Sequence, residues 1–280
     1  MTEEEERRKV RQGYARIAQK QSSCCDRNTS YEASKKMGYS EEDLEAVPEG
    51  ANMNLGCGNP VALASLKEGE TVIDLGSGGG FDCFLAAKKV GQRGKVIGVD
   101  MTPEMIDKAR ENARKGKYTS VEFRLGEIEN LPVADNTADV IISNCVINLA
   151  PNKKKVFQEA FRVLKSGGRL MISDLVLLKE LPDEVKKAMS STSCVTGAMM
   201  KDKYIQTIEA VGFENVTTTG EKGYCAEDVE EDPYAEVLAF NPKTNTIETK
   251  KVSELDEKAK QRLKETQKAV QSINVSAIKP

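Results

Sequence analysis

The sequence predicts an α/β fold whose central sheet is mostly parallel and carries helices on both faces. Short apolar runs alternate with helical segments from residue 71 to residue 174, which is typical of strands buried on both faces of a parallel sheet. The first apolar run is followed directly by the glycine-rich segment DLGSGGG at residues 74–80. In open sheets of this kind, such a turn lies at the edge where ligands bind.

The elements before this alternating region are predicted to be short helices and loops. Residues 2–20 form a charged segment whose apolar side chains fall on one helical face. Ser40 and Asp43 have the spacing of a capping box that starts a second, short helix. Pro60 is well placed to open a third helix through Leu66, because proline favours the first position of a helix.

Five strands and three longer helices are predicted within the alternating region. The strands cover residues 71–75, 95–100, 121–125, 138–143 and 168–174, and the helices cover residues 81–90, 103–115 and 152–165. Thr102 is the expected N-cap of the second of these helices. The segment Ser166-Gly167-Gly168 is the expected end of the third, because glycine commonly terminates helices.

The alternation loosens after Leu175. Helices are predicted at residues 182–190 and 201–211, a sixth strand at 214–219, an acidic and then helical stretch at 221–270, and a closing strand at 272–280. The predicted organisation is an N-terminal cysteine-bearing cap at 1–50, a core at 51–175, and a C-terminal region at 176–280 that completes a mostly parallel seven-stranded sheet.

The composition excludes several classes of function. The 280 residues carry a formal net charge of −3, which disfavours nucleic acid as a partner, because phosphate binding needs a basic surface. The chain contains no histidine, so a Ser-His-Asp triad and a histidine-liganded zinc are excluded. No apolar run reaches the length of a membrane span, and the N-terminus lacks the apolar region of a secretory signal. We expect a cytoplasmic monomer without a membrane partner, whose seven cysteines are thiols.

The glycine-rich loop differs from a dinucleotide site. The fingerprint G-x-G-x-x-G would need glycine at the position of Phe81. Asp74 stands directly before the loop, where a carboxylate suits a cationic ligand better than a pyrophosphate. Asp100 ends the second strand twenty residues after Gly80, at the place where a carboxylate meets a ribose hydroxyl.

Three segments together resemble the class I S-adenosylmethionine-dependent methyltransferases, which have a Rossmann-like fold. They are DLGSGGG at 74–80, Asp100-Met101, and GEIENLP at 126–132. The resemblance implies that S-adenosylmethionine is the cofactor. It implies that Gly76 and Gly78 approach its methionine moiety, Asp100 holds its ribose, and Glu127 with Ile128 borders its adenine. The full implied set of cofactor-binding residues is Asp74, Gly76, Ser77, Gly78, Gly80, Asp100, Met101, Glu127, Ile128 and Asn144.

The cysteines fall into two groups. Cys83 lies in a predicted helix and is predicted to be a small core residue. Cys225 has no assigned role. The other five lie in predicted loops or at element ends, and these are Cys24, Cys25, Cys57, Cys145 and Cys194. Structural zinc is disfavoured, because no C-x₂₋₄-C pair is present. A disulfide relay and a soft thiophilic centre for trivalent arsenic both fit several thiols without histidine.

Three further segments resemble the arsenite methyltransferases. They are NLGCGNP at 54–60, SNCVINLAP at 143–151 and SCVTGAM at 193–199. The resemblance implies that Cys57, Cys145 and Cys194 bind As(III) and that Cys24 or Cys25 is a fourth, redox-active thiol. It further implies arsenite as the substrate and a thioredoxin-like or small-thiol reductant as the partner.

Two other functions explain part of the sequence. A methyltransferase for a carbon or oxygen atom of a quinone or other small metabolite explains residues 68–175 but leaves the loop cysteines without a role. A non-catalytic, thiol-rich metalloid-binding protein explains the cysteines without catalysis. The fourth strand is expected next to the strand that carries the glycine loop, so its tip should face the cofactor's methionine end. Asn144 and Cys145 should then point in opposite directions, since side chains alternate along a strand.

Overall fold

The computed structural model describes residues 2–19, 31–32, 34–53, 55–181, 194–223, 236–241, 246–251 and 268–280. The helices are α1 (Glu3–Gln19), α2 (Glu41–Glu45), α3 (Pro60–Leu63), α4 (Phe81–Val90), α5 (Pro103–Lys115), α6 (Lys153–Val163) and α7 (Lys201–Glu209). The strands are β1 (Thr71–Leu75), β2 (Lys95–Asp100), β3 (Val121–Leu125), β4 (Ala138–Asn144), β5 (Leu164–Leu177), β6 (Glu214–Gly223), β7 (Glu236–Asn241), β8 (Thr246–Lys251) and β9 (Val270–Ile278).

Seven strands form one mostly parallel sheet, as the sequence predicts. Their order is β3-β2-β1-β4-β5-β9-β6, and the first five strands pair in parallel. β9 inserts antiparallel between β5 and β6. The chain order changes direction between β1 and β4, which therefore lie side by side with a crevice at their carboxyl ends.

Two apolar layers cover the sheet. Ile73 packs with Phe157 of α6 and Tyr204 of α7 on one face. Val72 packs with Phe84 of α4 on the other face. Neighbouring residues of β1 thus point into different cores, because side chains alternate along a strand. All five of these side chains are almost completely buried.

The fifth strand is longer than predicted. β5 begins at Leu164, so α6 ends at Val163 and the expected glycine C-cap at Gly167 lies inside the strand. The prediction was wrong because Leu164 is fully buried and pairs with Ala138, which ends the helix by tertiary packing.

Other boundaries shift by a few residues. The helix that opens at Pro60 ends at Leu63 instead of Leu66, and β6 continues to Gly223. The antiparallel hairpin of β7 and β8 was missed within the stretch interpreted as acidic and then helical. The predicted helix at 182–190 and the segment 252–267 lie outside the described residues. The division of the chain at residues 50 and 175 stays a prediction.

In the part of the chain that the structure describes, every helix is too short or too polar to cross a membrane.

The packing of Phe157 predicts a large stability effect. Its ring meets the ring of Tyr204 edge to face, with 5.5 Å between the centroids, and it is fully buried. Phe157→Ala should lower the free energy of unfolding by about 3–5 kcal/mol, because it leaves a cavity under the sheet. Gln158→Ala, an exposed neighbour, should change it by less than about 0.5 kcal/mol. Urea denaturation measures both, and equal effects would contradict this packing.

Candidate active site

A cavity opens at the carboxyl ends of β1, β2 and β4. The glycine-rich loop forms its floor, and α1 borders it through Arg7, Val10 and Tyr14. The lining includes all of the predicted cofactor residues except Gly80, namely Asp74, Gly76, Ser77, Gly78, Asp100, Met101, Glu127, Ile128 and Asn144. It also includes Cys145, so a thiol and the glycine loop share one cavity.

The glycine-rich loop is held in a fixed shape. The N–H groups of Gly76 and Ser77 donate to the carbonyl of Val99, at 2.8 and 3.0 Å. Gly78 has φ +50, and a Cβ added there would meet nothing within 4 Å. The hydroxyl of Ser77 is buried, and it has no hydrogen-bond partner among the described residues. The loop therefore presents space and an unpaired polar atom to a ligand.

Asp100 ties the glycine loop to the start of α5. Its carboxylate accepts hydrogen bonds from the N–H groups of Gly78 (3.0 Å) and Thr102 (2.8 Å). Burial raises the pKa of Asp100, although both N–H donors favour the ionised form. Thr102 is the N-cap of α5, but its side chain makes no capping bond. Asp100 instead accepts from the backbone N–H of Thr102 itself, which fixes the residue that precedes the helix.

Two buried carboxyl groups lie under the cavity. Asp74 accepts a hydrogen bond from the Cys83 thiol at 3.1 Å, and Asp82 accepts one from the Tyr39 hydroxyl at 2.7 Å. Burial raises the pKa of Asp82 to about 6. Burial and the neighbouring Asp82 raise the pKa of Asp74 well above its usual value. Asp82 was missed in the sequence, because its position in a helix gives no sign of these partners.

Helix α1 is clamped beside the cavity by ion pairs. The guanidinium of Arg7 donates to Glu129 at 2.9 Å and lies 3.5 Å from Glu127. Glu129 is 2% exposed and also accepts from the N–H of Asn152 at 2.8 Å. Glu127 was predicted as a site residue from the sequence, whereas Glu129 was not. The acidic spacing of GEIEN was a usable signal, whereas the Arg7 partner 122 residues away was not.

Asn144 connects the glycine-loop side of the cavity to the loop that carries Cys57. Its Oδ1 accepts a hydrogen bond from the N–H of Cys57 at 2.9 Å. Its Nδ2 donates to the carbonyl of Gly58 at 2.8 Å and to Asp82 at 3.0 Å, with the Tyr39 hydroxyl also 3.0 Å away. The amide thus fixes the Cys57 backbone against β4.

Three predicted site cysteines come together at the tip of β4. The thiol of Cys194 donates to the carbonyl of Cys145 at 2.9 Å. The thiol of Cys57 donates to the carbonyl of Ser173 at 3.5 Å, and the same carbonyl accepts from the N–H of Cys145 at 2.8 Å. All three cysteines are free. Cys24 and Cys25 lie outside the described residues.

The surroundings keep these thiols protonated. Burial of its sulfur raises the pKa of Cys57. Cys194 has a pKa well above its usual value because of its hydrogen bond with Cys145 and burial. For Cys145, the hydrogen bond with Cys194 favours the thiolate, but the bond with Cys57 and burial outweigh it, so the pKa is also well above the usual value.

Asn144 and Cys145 both line the cavity, and the opposite orientation of their side chains stays a prediction. β4 ends at Asn144, and Cys145 takes a left-handed backbone conformation with φ +60. This turn breaks the alternation of the strand. Such a conformation is uncommon for a residue other than glycine, and it occurs where a site requires it.

A buried carboxyl group that was not predicted from the sequence completes the thiol cluster. The Sγ atoms of Cys57 and Cys145 and a carboxylate oxygen of Asp174 all lie within 4.8 Å of one another. Asp174 accepts hydrogen bonds from Asn148 Nδ2 (2.8 Å), the Tyr204 hydroxyl (3.0 Å) and the N–H of Leu175 (2.9 Å). Burial raises its pKa to about 7.

The fold and the cavity define a Rossmann-like methyltransferase, and comparisons agree. A family model described as a methyltransferase domain matches residues 66–212. A solved structure of an arsenic(III) S-adenosylmethionine methyltransferase from Chlamydomonas reinhardtii matches with a TM-score of 0.62 and 30% identity, covering 88% of this chain and 73% of that one. An arsenite methyltransferase from Halobacterium salinarum is 50% identical over 228 residues, which are 76% of this chain and 58% of that protein.

The chain belongs to the arsenite methyltransferase family within the methyltransferase-domain proteins. It spans little more than half the length of the curated arsenite methyltransferases that it matches, such as those from Halobacterium salinarum and Aquipseudomonas alcaligenes. A ubiquinone/menaquinone biosynthesis C-methyltransferase from Salmonella arizonae is 34% identical over 134 residues, which are 48% of this chain and 53% of that protein.

Alanine substitutions at two glycines of the loop, Gly78 and Gly80, should have different effects. Both have a positive φ, and alanine is strained more at Gly80 (φ +93) than at Gly78 (φ +50), which lies in the left-handed region open to other residues. A Cβ at Gly80 would lie 2.7 Å from the Phe123 ring, whereas one at Gly78 meets nothing. Gly80→Ala should therefore cost about 1–3 kcal/mol more stability than Gly78→Ala. Gly78→Ala should fold and bind S-adenosylmethionine more weakly, as measured by calorimetry. Unchanged binding would show that the loop does not contact the ligand.

The raised pKa of Asp82 predicts a pH dependence of stability. The folded carboxyl group holds its proton up to about pH 6, whereas an unfolded aspartate loses it near its usual value of 3.8. The stabilising contribution is present below the unfolded pKa and is lost as the pH rises through the folded pKa. Asp82→Asn should flatten the stability profile by roughly 1–3 kcal/mol between pH 4 and pH 6. Urea denaturation across this range measures the slope, and an unaltered slope would contradict the assignment.

Proposed function

We propose that the protein transfers the methyl group of S-adenosylmethionine to trivalent arsenic bound by Cys57, Cys145 and Cys194. The supporting observation is the placement of these cysteines at the tip of β4, beside the cavity that the glycine loop lines. The sulfur atoms of Cys57 and Cys145 lie within 4.8 Å of each other, and the thiol of Cys194 donates to the carbonyl of Cys145 at 2.9 Å. The family membership of the chain supports the same substrate. Methylation of a quinone would not require these three cysteines.

The cavity fits S-adenosylmethionine in its polarity and its space. Gly78 leaves room for a close approach, and Ser77 offers an unpaired hydroxyl. We assign the ribose to Asp100 and the adenine to Glu127 and Ile128, and we assign the methionine end to the loop after Asp74. The remaining members of this proposed set are Gly76, Gly80, Met101 and Asn144. The buried carboxyl groups suit a ligand with positive charge.

The thiols are proposed to hold arsenic through three As–S bonds. Arsenous acid exchanges its three hydroxyl groups for three thiolates, and each thiol proton leaves with a hydroxyl as water. Protonated resting thiols therefore suit this exchange, which needs no separate base. Thiolates also select soft centres over hard ones.

The alignment of the arsenic is the main task of the protein in this proposal. When bound, S-adenosylmethionine supplies a methyl group made electrophilic by its positive sulfur, so the arsenic lone pair accepts it without a general base. Cys145 is placed for this task because its left-handed turn puts it in the cofactor cavity. Positioning of this kind is worth roughly 7–11 kcal/mol in favourable intramolecular reactions.

Methylation formally oxidises arsenic, so two electrons must return. We propose that a dithiol of Cys57 with Cys24 or Cys25 supplies them by forming a disulfide, and that a thioredoxin-like or small-thiol reductant restores it. This chemistry needs a reducing compartment, and we propose a cytoplasmic monomer. Support comes from the four cysteines of the described ranges, which are all free thiols.

Serine variants of the arsenic ligands test the proposal. Cys145→Ser and Cys194→Ser should each lower arsenite binding and methylation at least about a hundredfold, because serine is a poor ligand for a soft centre. S-adenosylmethionine binding should survive. The matched control is Cys83→Ser, a buried cysteine outside the cluster. Methylated arsenicals are measured by chromatography with mass spectrometry.

Normal arsenite turnover in either ligand variant would refute the assignment of Cys145 and Cys194 as arsenic ligands. Activity on a quinone substrate in the same variants would support the competing methyltransferase instead. Cofactor binding without any methyl transfer to arsenite in the unaltered protein would favour the metalloid-binding alternative.

A further inference from the structure

We propose that Cys57, Cys145 and Asp174 form a binding site for a thiophilic divalent cation of the Zn²⁺ and Cd²⁺ class, which competes with the arsenic substrate. The competition rests on the proposed function, because the two ions would share the thiols of Cys57 and Cys145. The cation site itself rests on the geometry of the three side chains.

The three ligand atoms converge from three different segments. Cys57 lies in the loop before α3, Cys145 follows β4, and Asp174 lies in β5 next to Ser173. Their ligand atoms lie within 4.8 Å of one another. Sulfur atoms around a tetrahedral Zn²⁺ stand about 2.3 Å from the metal, so an adjustment of roughly 1 Å closes the site.

The ligand set suits a divalent cation better than it suits arsenic. Zn²⁺ accepts both cysteine thiolates and aspartate carboxylate oxygens as ligands, and a further thiol or water completes its tetrahedral coordination. Cys194 lies at the edge of this set, since its thiol donates to the carbonyl of Cys145 at 2.9 Å. Three thiolates already satisfy As(III), so Asp174 has no part in holding the arsenic.

The carboxylate of Asp174 is oriented as a ligating carboxylate usually is. Asn148, Tyr204 and the N–H of Leu175 donate to it, and Asp174 is 0% exposed. Carboxylate ligands in metal sites are typically fixed by such hydrogen bonds. Burying a carboxylate away from water costs free energy unless a cation or hydrogen bonds compensate it. A bound cation would provide that compensation at Asp174.

The charge of the site also favours a divalent cation. Two thiolates and a carboxylate around a divalent ion leave one net negative charge. The ammonium group of Lys153 interacts electrostatically with Asp174 and is held nearby by the carbonyls of Asn148 and Ala150, at 3.2 and 3.1 Å. A single positive charge thus balances the occupied site.

Cadmium titration of the reduced full-length chain tests the site. We would use a Cys24→Ser, Cys25→Ser and Cys225→Ser background, which removes the cysteines outside the described ranges. Sulfur-to-cadmium charge-transfer absorption should show one Cd²⁺ per chain. Asp174→Asn should lower the Cd²⁺ affinity by a factor at least about tenfold larger than the factor by which it lowers the arsenite affinity. Asp139→Asn, at the opposite end of β4, should leave the Cd²⁺ affinity unchanged.

Direct spectroscopy covers the case in which Asp174→Asn fails to fold. The ¹¹³Cd NMR shift of the background protein should indicate mixed sulfur and oxygen ligands. An all-sulfur shift, or a folded Asp174→Asn protein with unaltered Cd²⁺ affinity, would overturn the proposal. Arsenite binding, measured separately, decides the proposed function. Cd²⁺ binding without arsenite binding would support the cation site and refute the arsenic function. Arsenite binding without Cd²⁺ binding would support the arsenic function and refute the cation site.

Discussion

The geometry of the site depends on the hydrogen bonds of the Asn144 side chain. Its carbonyl oxygen accepts from the backbone of Cys57, and its amide nitrogen donates to Asp82 at the start of α4. One amide at the tip of β4 therefore fixes the thiol-bearing loop relative to the glycine-loop helix. A Cβ at Gly56 would lie 2.6 Å from the same amide, so the loop approaches it as closely as glycine allows.

The parallel pairing of β1 with β4 brings the two halves of the proposed chemistry together. Leu75 pairs with Ser143, so the glycine loop and Cys145 leave the sheet at the same edge. Asn144 pairs with Ser173 of β5, which places Asp174 behind the thiols. The same edge then holds a cavity suited to a charged cofactor and a buried cluster suited to soft ions. Cys145 belongs to both, because it takes a left-handed conformation directly after β4, lines the cavity and has its sulfur in the cluster.

Sequence patterns predicted the parts of this arrangement that depend on local signals. The strand and helix alternation predicted the sheet, and glycine spacing predicted the loop. The missed residues are Asp82, Glu129, Asp174 and Arg7, whose roles come from partners distant in the chain. Arg7 and Glu129 are 122 positions apart, for example. The end of α6 was mispredicted for a similar reason, because burial of Leu164 against the sheet overrides the glycine signal. Residue types mark candidates, but only packing decides which of them meet.

The central claim is that Cys57, Cys145 and Cys194 bind trivalent arsenic together. X-ray absorption spectroscopy of the arsenite-loaded, reduced full-length chain tests it most directly, because it counts the atoms bound to arsenic. Three sulfur neighbours and no oxygen neighbour are expected, with one sulfur lost in each single serine variant of these cysteines. A spectrum dominated by oxygen neighbours, or three sulfur neighbours that persist when all three cysteines are replaced, would contradict it.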